Sequence, residues 1–216
     1  DTVGDLLLVL VGAIFLGAVA RLIAYRHRPA GAQADPEQNP SSGPDSGRLD
    51  SVASLSTSLS HADNPESIAR ALLHEVVRLL GVEYASLALI SDDAKEATGL
   101  YALGERADND WWKSVTIDLE NEPSAVASCA FEAAPLTIYD VESSPRVNRR
   151  LAERLGAKSG AFVPLISGDR VIAVLAAATT RQRRHFRADE IVLLETLAAE
   201  SALALDRARS AVQLEE

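Results

Sequence analysis

Val171-Ile172-Ala173-Val174-Leu175-Ala176-Ala177-Ala178 is apolar at odd and even positions alike, and so is Gly160-Ala161-Phe162-Val163-Pro164-Leu165-Ile166 just upstream. Ser167-Gly168-Asp169-Arg170 separates them, and two β runs around a Gly-containing turn predict a hairpin. Neither face of such a hairpin can meet water, so the pattern predicts a sheet covered by helices on both sides.

Other elements follow from the spacing of apolar residues. Asn64-Pro65-Glu66 reads as a helix start, Ile68, Leu72, Val76 and Leu79 form its stripe, and Gly81 stops it. Tyr84 to Ile90 reads as a central strand, with Ala85, Leu87 and Leu89 on one face and Tyr84, Ala88 and Ile90 on the other. Strands are also expected over Ala97–Leu103, Val115–Ile117 and Leu136–Val141. Trp111 and Trp112 precede the second of these and are expected on opposite faces. Pro123 to Ala133 reads as a helix on its Ala125, Val126, Cys129, Ala130 and Ala133 stripe. Ser144-Pro145 is expected to open another, with Val147, Leu151 and Leu155 inward and Gly156 at its end. A last helix from Ala188 runs about 27 residues, roughly 40 Å. Ile191, Leu194, Ala198, Ser201, Leu205, Ala208 and Val212 alternate three and four apart along it, a seam expected to meet a second copy as a coiled coil.

The N-terminal part is different in kind. Leu6 to Ala20 is uncharged and apolar, continuing through Leu22-Ile23-Ala24-Tyr25 around a single Arg21, and predicts one transmembrane helix with Arg21 snorkelling and Tyr25 at the interface. Asp1 and Asp5 precede it and Arg21, Arg26, His27 and Arg28 follow. This argues for a single pass through a bacterial inner membrane with the rest of the chain cytoplasmic, and against a signal peptide, whose charge order is the reverse. Pro29 to Gly47 is rich in Pro, Gly, Ser and Asp and reads as a flexible linker. Leu49, Val52, Leu55 and Leu59 suggest a lead-in helix. The expected organisation is therefore 1–28 membrane helix and basic flank, 29–47 linker, 48–205 one domain with flanking helices, and 206–216 the start of a C-terminal coiled-coil linker.

Charge narrows the function. With 21 Lys+Arg against 31 Asp+Glu the net charge is -10, which argues against nucleic acid as a partner. The single cysteine, Cys129, rules out an intramolecular disulfide and a Cys-based zinc site. The absence of methionine marks Asp1 as something other than a translational start, so a processed chain or a fragment is expected. The four histidines, His27, His61, His74 and His185, stand in no triad or metal-ligand setting, and there is no glycine-rich phosphate cradle.

Leu119-Glu120-Asn121-Glu122-Pro123-Ser124 ahead of a small-residue helix, Ala134-Pro135-Leu136-Thr137-Ile138-Tyr139-Asp140, the hairpin from Val163-Pro164-Leu165 into Val171–Leu175, and Phe186 before Asp189-Glu190 resemble, in order and spacing, a GAF domain. The likeness covers roughly residues 60 to 205. It implies an α+β, profilin-like antiparallel sheet of about six strands with helices on both faces. It also implies a small ligand between the sheet and the helices of 119–157, which makes Trp111, Cys129, Tyr139, Asp140, Arg146 and Asn148 the candidate ligand-binding residues. Thr180 and Arg181 stand where cyclic-nucleotide-binding members carry Asn and Lys. Cys129 is followed by Ala130, where bilin-binding members usually have His. The family's methionine sulfoxide reductases work through several cysteines, so no enzyme activity is expected. The arginines Arg181, Arg183, Arg184 and Arg187 could grip an anion or form a solvated loop. The resulting expectation is a membrane-anchored homodimeric sensor that binds an unidentified small molecule and signals to a separate output module. Its alternatives are a ligand-free dimerisation scaffold and a chromophore or haem carrier.

Overall fold

In a computed structural model the described residues are 53–215. The apolar run Leu6–Ala20, the 29–47 linker and the start of the lead-in helix lie outside them. Among the described residues no helix is long and apolar enough to cross a membrane.

A helical segment over 53–59 leads into α1 (Pro65–Leu80). The start of α1 is fixed locally: Asn64 Oδ1 accepts from the Ser67 N–H at 2.9 Å while Ser67 Oγ accepts from the Asn64 N–H at 3.2 Å, a reciprocal cap. Gly81 ends it at φ 61°, the left-handed position where glycine carries no steric cost. Leu80, not Leu79, completes the fully buried stripe with Ile68, Leu72 and Val76.

Then come β1 (Tyr84–Ile90), β2 (Glu96–Gly104), α2 (Asn109–Lys113), β3 (Thr116–Asp118), α3 (Ala125–Glu132), β4 (Leu136–Ile138), α4 (Arg149–Leu155), β5 (Ser159–Ser167), β6 (Arg170–Thr179) and α5 (Ala188–Glu215). All strand pairs are antiparallel, in the order β3-β2-β1-β6-β5-β4. The expected hairpin is β5–β6, turning at Gly168 with φ 63°.

Helices cover both faces of this sheet. On one, Ala85, Leu87, Val163, Leu165, Ala173, Leu175 and Ala177 pack with Leu72, Val76, Leu194, Leu197 and Leu205 of α1 and α5. On the other, Tyr84, Ala88, Ile90, Val174 and Ala178 pack with Trp112, Val126, Cys129 and Leu151 of α2, α3 and α4. Strand alternation sends neighbouring side chains to opposite layers, which is why these runs are apolar throughout.

Four expectations are corrected. The tryptophans sit on helix α2, not in strand geometry; Asp108 caps it, and the Asn109 side chain bonds the Ala102 N–H and C=O at 2.8 and 3.1 Å, holding α2 to β2. Strand β4 ends at Ile138 instead of Val141. Helix α4 begins at Arg149 with Asn148 as its cap, because Ser144 Oγ takes the Arg146 N–H in a turn upstream. On α5, Leu194, Ala198, Ser201 and Leu205 are buried against the chain's own sheet and α1. Much of the seam expected to meet another copy is thus occupied from within, because an apolar stripe packs on whatever apolar surface its own chain offers first.

Candidate functional site

Beneath α3 and α4 the sheet carries small residues: Ala88 on β1, Gly160 on β5, and Ala176 and Ala178 on β6. With so little side chain rising from the floor, the layers leave a cavity of about 80 Å³. Its walls are Tyr84, Trp112, Phe162, Leu151 and Leu155, with Val126, Val141 and Val147 above. Phe162 pairs with Leu136 of β4 and Ala176 of β6, so the sheet register sets its place.

The roof is fastened at its corners. Asp118 Oδ1 accepts from the Glu120 and Asn121 N–H groups at 3.0 and 2.9 Å, and its Oδ2 from Asn121 Nδ2 at 2.9 Å. The Asn121 bonds hold the Asp118 carboxyl below its usual range. Ser124 Oγ caps α3 by accepting from the Ala127 N–H at 2.9 Å. Asn148 Oδ1 caps α4 by accepting from the Leu151 N–H at 3.2 Å, and its Nδ2 donates to Glu122 Oε2 at 2.8 Å, tying α4 to the loop before α3.

None of the 19 lining residues is charged. Trp112 Nε1 is engaged, donating to Leu87 O at 3.0 Å beside the register shift between Leu87 and Ala88. The Tyr84 hydroxyl is the exception: it is buried and, among the described residues, has no hydrogen-bond partner of regular geometry. Burial pushes its phenol up to about 12, against a smaller pull from the adjacent Ser86 hydroxyl. Leaving a buried hydroxyl unpaired costs roughly 1–3 kcal/mol. An isolated carboxylate in such surroundings would cost far more.

The family model for the GAF domain matches residues 64–205. The chain belongs to the GAF domain family. Solved structures of the same fold include the GAF domain of a phosphoenolpyruvate-protein phosphotransferase from Coxiella burnetii, at TM-score 0.69 and 15% identity over 79% of this chain and 99% of that one. Free methionine-R-sulfoxide reductase from Neisseria meningitidis, in complex with its substrate, aligns at TM-score 0.63 and 16% identity over 79% and 95%. The second GAF domain of DevS from Mycobacterium smegmatis aligns at TM-score 0.56 and 20% identity over 70% and 99%. At such identities the likeness is one of fold. No curated protein matches the sequence.

Of the six residues the family resemblance pointed to, this GAF domain brings Asn148 to the cavity wall. Trp111 lies on the outer side of α2, half-buried under the Arg154 guanidinium at 4.5 Å, while its neighbour Trp112 lines the cavity. Cys129 is wholly buried in the layer under α3 but outside the lining; burial, and then the charge of Glu132, push its thiol up to about 12. Tyr139 is exposed and stacks on His185 at 4.2 Å. Asp140 faces Arg183 at 3.1 Å, off hydrogen-bond geometry, and Arg146 is exposed. Tyr84, Ser86 and Phe162 were missed because a strand pattern reveals a face and not which of its residues border a gap.

The basic loop is also accounted for. Arg181 pairs with Glu105, Arg183 with Glu142 at 2.8 Å, Arg184 with Glu190 at 2.9 Å and Arg187 with Asp189 at 2.6 Å. Each of these arginines thus has a carboxylate partner within the domain. Among the described residues no group of three or more His, Cys, Asp or Glu side chains could hold a metal ion.

Proposed function

We propose that this GAF domain is a sensory and regulatory module: a small molecule in the cavity between the sheet and α3–α4 alters the packing of the flanking helices, which pass the change to an output module. The observation that carries the reading is the apolar cavity with one buried hydroxyl, free of any bond of regular geometry, in its wall, because ligand sites are mostly apolar hollows with few polar groups. The same chemistry argues against catalysis, since the one thiol is buried and held protonated.

A bonded route joins the ligand layer to the helices on the far face. Ser159 Oγ donates to Tyr139 O at 2.6 Å and accepts from the Arg184 N–H at 2.9 Å. The Arg184 guanidinium then reaches Glu190, at the start of α5, and Leu80 O, at the end of α1, the latter at 3.2 Å. Any shift of the 139–148 segment on binding would be felt where both outer helices end. Only a ligand that favours one arrangement can switch them.

The reading includes a homodimer. Val192 and Leu203 are each 53% exposed and share an outward stripe of α5 with exposed Ala199, which lies about two turns after the first and one turn before the second, distinct from the buried seam. The Leu6–Ala20 run and its basic flank support an inner-membrane anchor with the domain cytoplasmic. Native mass spectrometry of the whole chain in detergent tests the proposal: dimers that retain or take up a small molecule are expected, and a monomer that binds nothing would refute it.

A further inference from the structure

The cavity's chemistry specifies its occupant more closely. With no charged residue in the lining, neither a carboxylate, a phosphate nor an ammonium finds a counter-charge, although the aromatic walls Tyr84, Trp112 and Phe162 could face a cation. The other polar groups already bond within the protein: Ser124 accepts from the Ala127 N–H, Asn148 bonds Leu151 and Glu122, and Trp112 donates to Leu87. The least engaged is the Tyr84 hydroxyl, buried with Ser86 beside it. The space of about 80 Å³ would hold on the order of six water-sized atoms.

We propose that the cavity takes a compact, uncharged, largely hydrocarbon molecule bearing one hydroxyl or carbonyl group, which hydrogen-bonds to the Tyr84 hydroxyl. This rests on the reading of the cavity as the ligand site. A phenolic hydroxyl both donates and accepts, so it serves an alcohol and a ketone alike. The apolar walls then select shape, and exclude any charged molecule of similar outline by leaving its charge unpaired.

Calorimetric titration of the full chain in one detergent tests the class with four probes of five or six heavy atoms: 1-butanol, pentane, butyrate and tetramethylammonium. The variants are Tyr84→Phe, which removes the hydroxyl, and Ala176→Leu, which fills the space. Subtracting the Ala176→Leu titration cancels probe that partitions into micelles. Where circular dichroism shows Ala176→Leu unfolded, Ala152→Leu fills the cavity from the α4 side. Expected is butanol binding about tenfold tighter than pentane in the wild type, with the two equal in Tyr84→Phe, butyrate and tetramethylammonium silent, and both neutral probes lost in the filled variant. Butyrate or tetramethylammonium binding more tightly than butanol, or a butanol preference that survives Tyr84→Phe, overturns the ligand class but leaves the cavity as the site if the filled variant still abolishes binding. Silence of all four probes, or binding untouched in the filled variant, overturns the class and the site together.

Discussion

The backbone of Trp112 lies directly over the α-carbon of Gly99: a β-carbon on Gly99 would stand 2.0 Å from the Trp112 carbonyl oxygen and 2.9 Å from its indole Cδ2. The contact seats α2 on β2, and Trp112 in the cavity wall, with Gly99 N–H donating to Val115 O at 3.1 Å just beyond. Glycine is required for the closeness of the approach, not for an unusual backbone angle.

Gly99→Ala must therefore push α2 outward. The expected loss is about 2–3 kcal/mol of stability, as for overpacking elsewhere, together with a change in tryptophan fluorescence as the Trp112 to Leu87 bond opens. Urea unfolding measures the first; a loss under about 0.5 kcal/mol would show that the layer yields freely.

Ser201 on α5 is fully buried, and among the described residues its hydroxyl has no hydrogen-bond partner. Ser201→Ala removes an unpaired polar atom and improves helix propensity, so stability should rise by about 1 kcal/mol, a few degrees in Tm. A drop in the unfolding midpoint would show that this hydroxyl does bond in solution.

Arg184 joins the ends of α1 and α5 through Leu80 O and Glu190, with only a quarter of its side chain exposed. Arg184→Gln should cost about 1–3 kcal/mol, and a double-mutant cycle with Glu190→Gln should show coupling of about 1 kcal/mol. Additive losses would mean that the pair acts as two unrelated charges.

Alkaline conditions should weaken the fold through Tyr84 and Cys129. Burial raises both groups to about 12, from 10.0 and 9.0, so the folded state holds protons that the unfolded chain has already released. Their stabilisation is complete below the ordinary values and is lost as pH rises towards 12, on the order of 3 kcal/mol from Tyr84 and 4 kcal/mol from Cys129. Denaturant midpoints across that range check it: Tyr84→Phe should flatten the tyrosine part of the fall, and an identical slope in the variant would contradict the assignment.

Leu203→Glu alters a residue outside both buried layers. The variant is expected to keep the wild-type unfolding midpoint within about 0.5 kcal/mol and to sediment as a monomer. A dimer that persists would place the interface elsewhere.

What the sequence alone determined lies within a few residues of its signal. Asn64, Pro65 and Gly81 bound α1, Gly168 turns the hairpin, and strands apolar on both faces require two covering layers; each follows from local conformation or from alternation along one strand. For the site, only the family resemblance pointed to the segment between the sheet and α3–α4, and of the residues it named Asn148, whose cap completes α4, borders the cavity.

Tertiary structure decided what depends on distant partners. The α5 seam packs inward because α1 and the sheet of the same chain are there to receive it. Arg184 meets a carbonyl 104 residues away at Leu80, a pairing invisible along the chain. Tyr84 becomes the polar handle of a cavity only because Ala88, Gly160 and Ala176, on three strands, leave space together. Spacing fixes which face a side chain shows; the gap or charge it meets there is set by how the layers close.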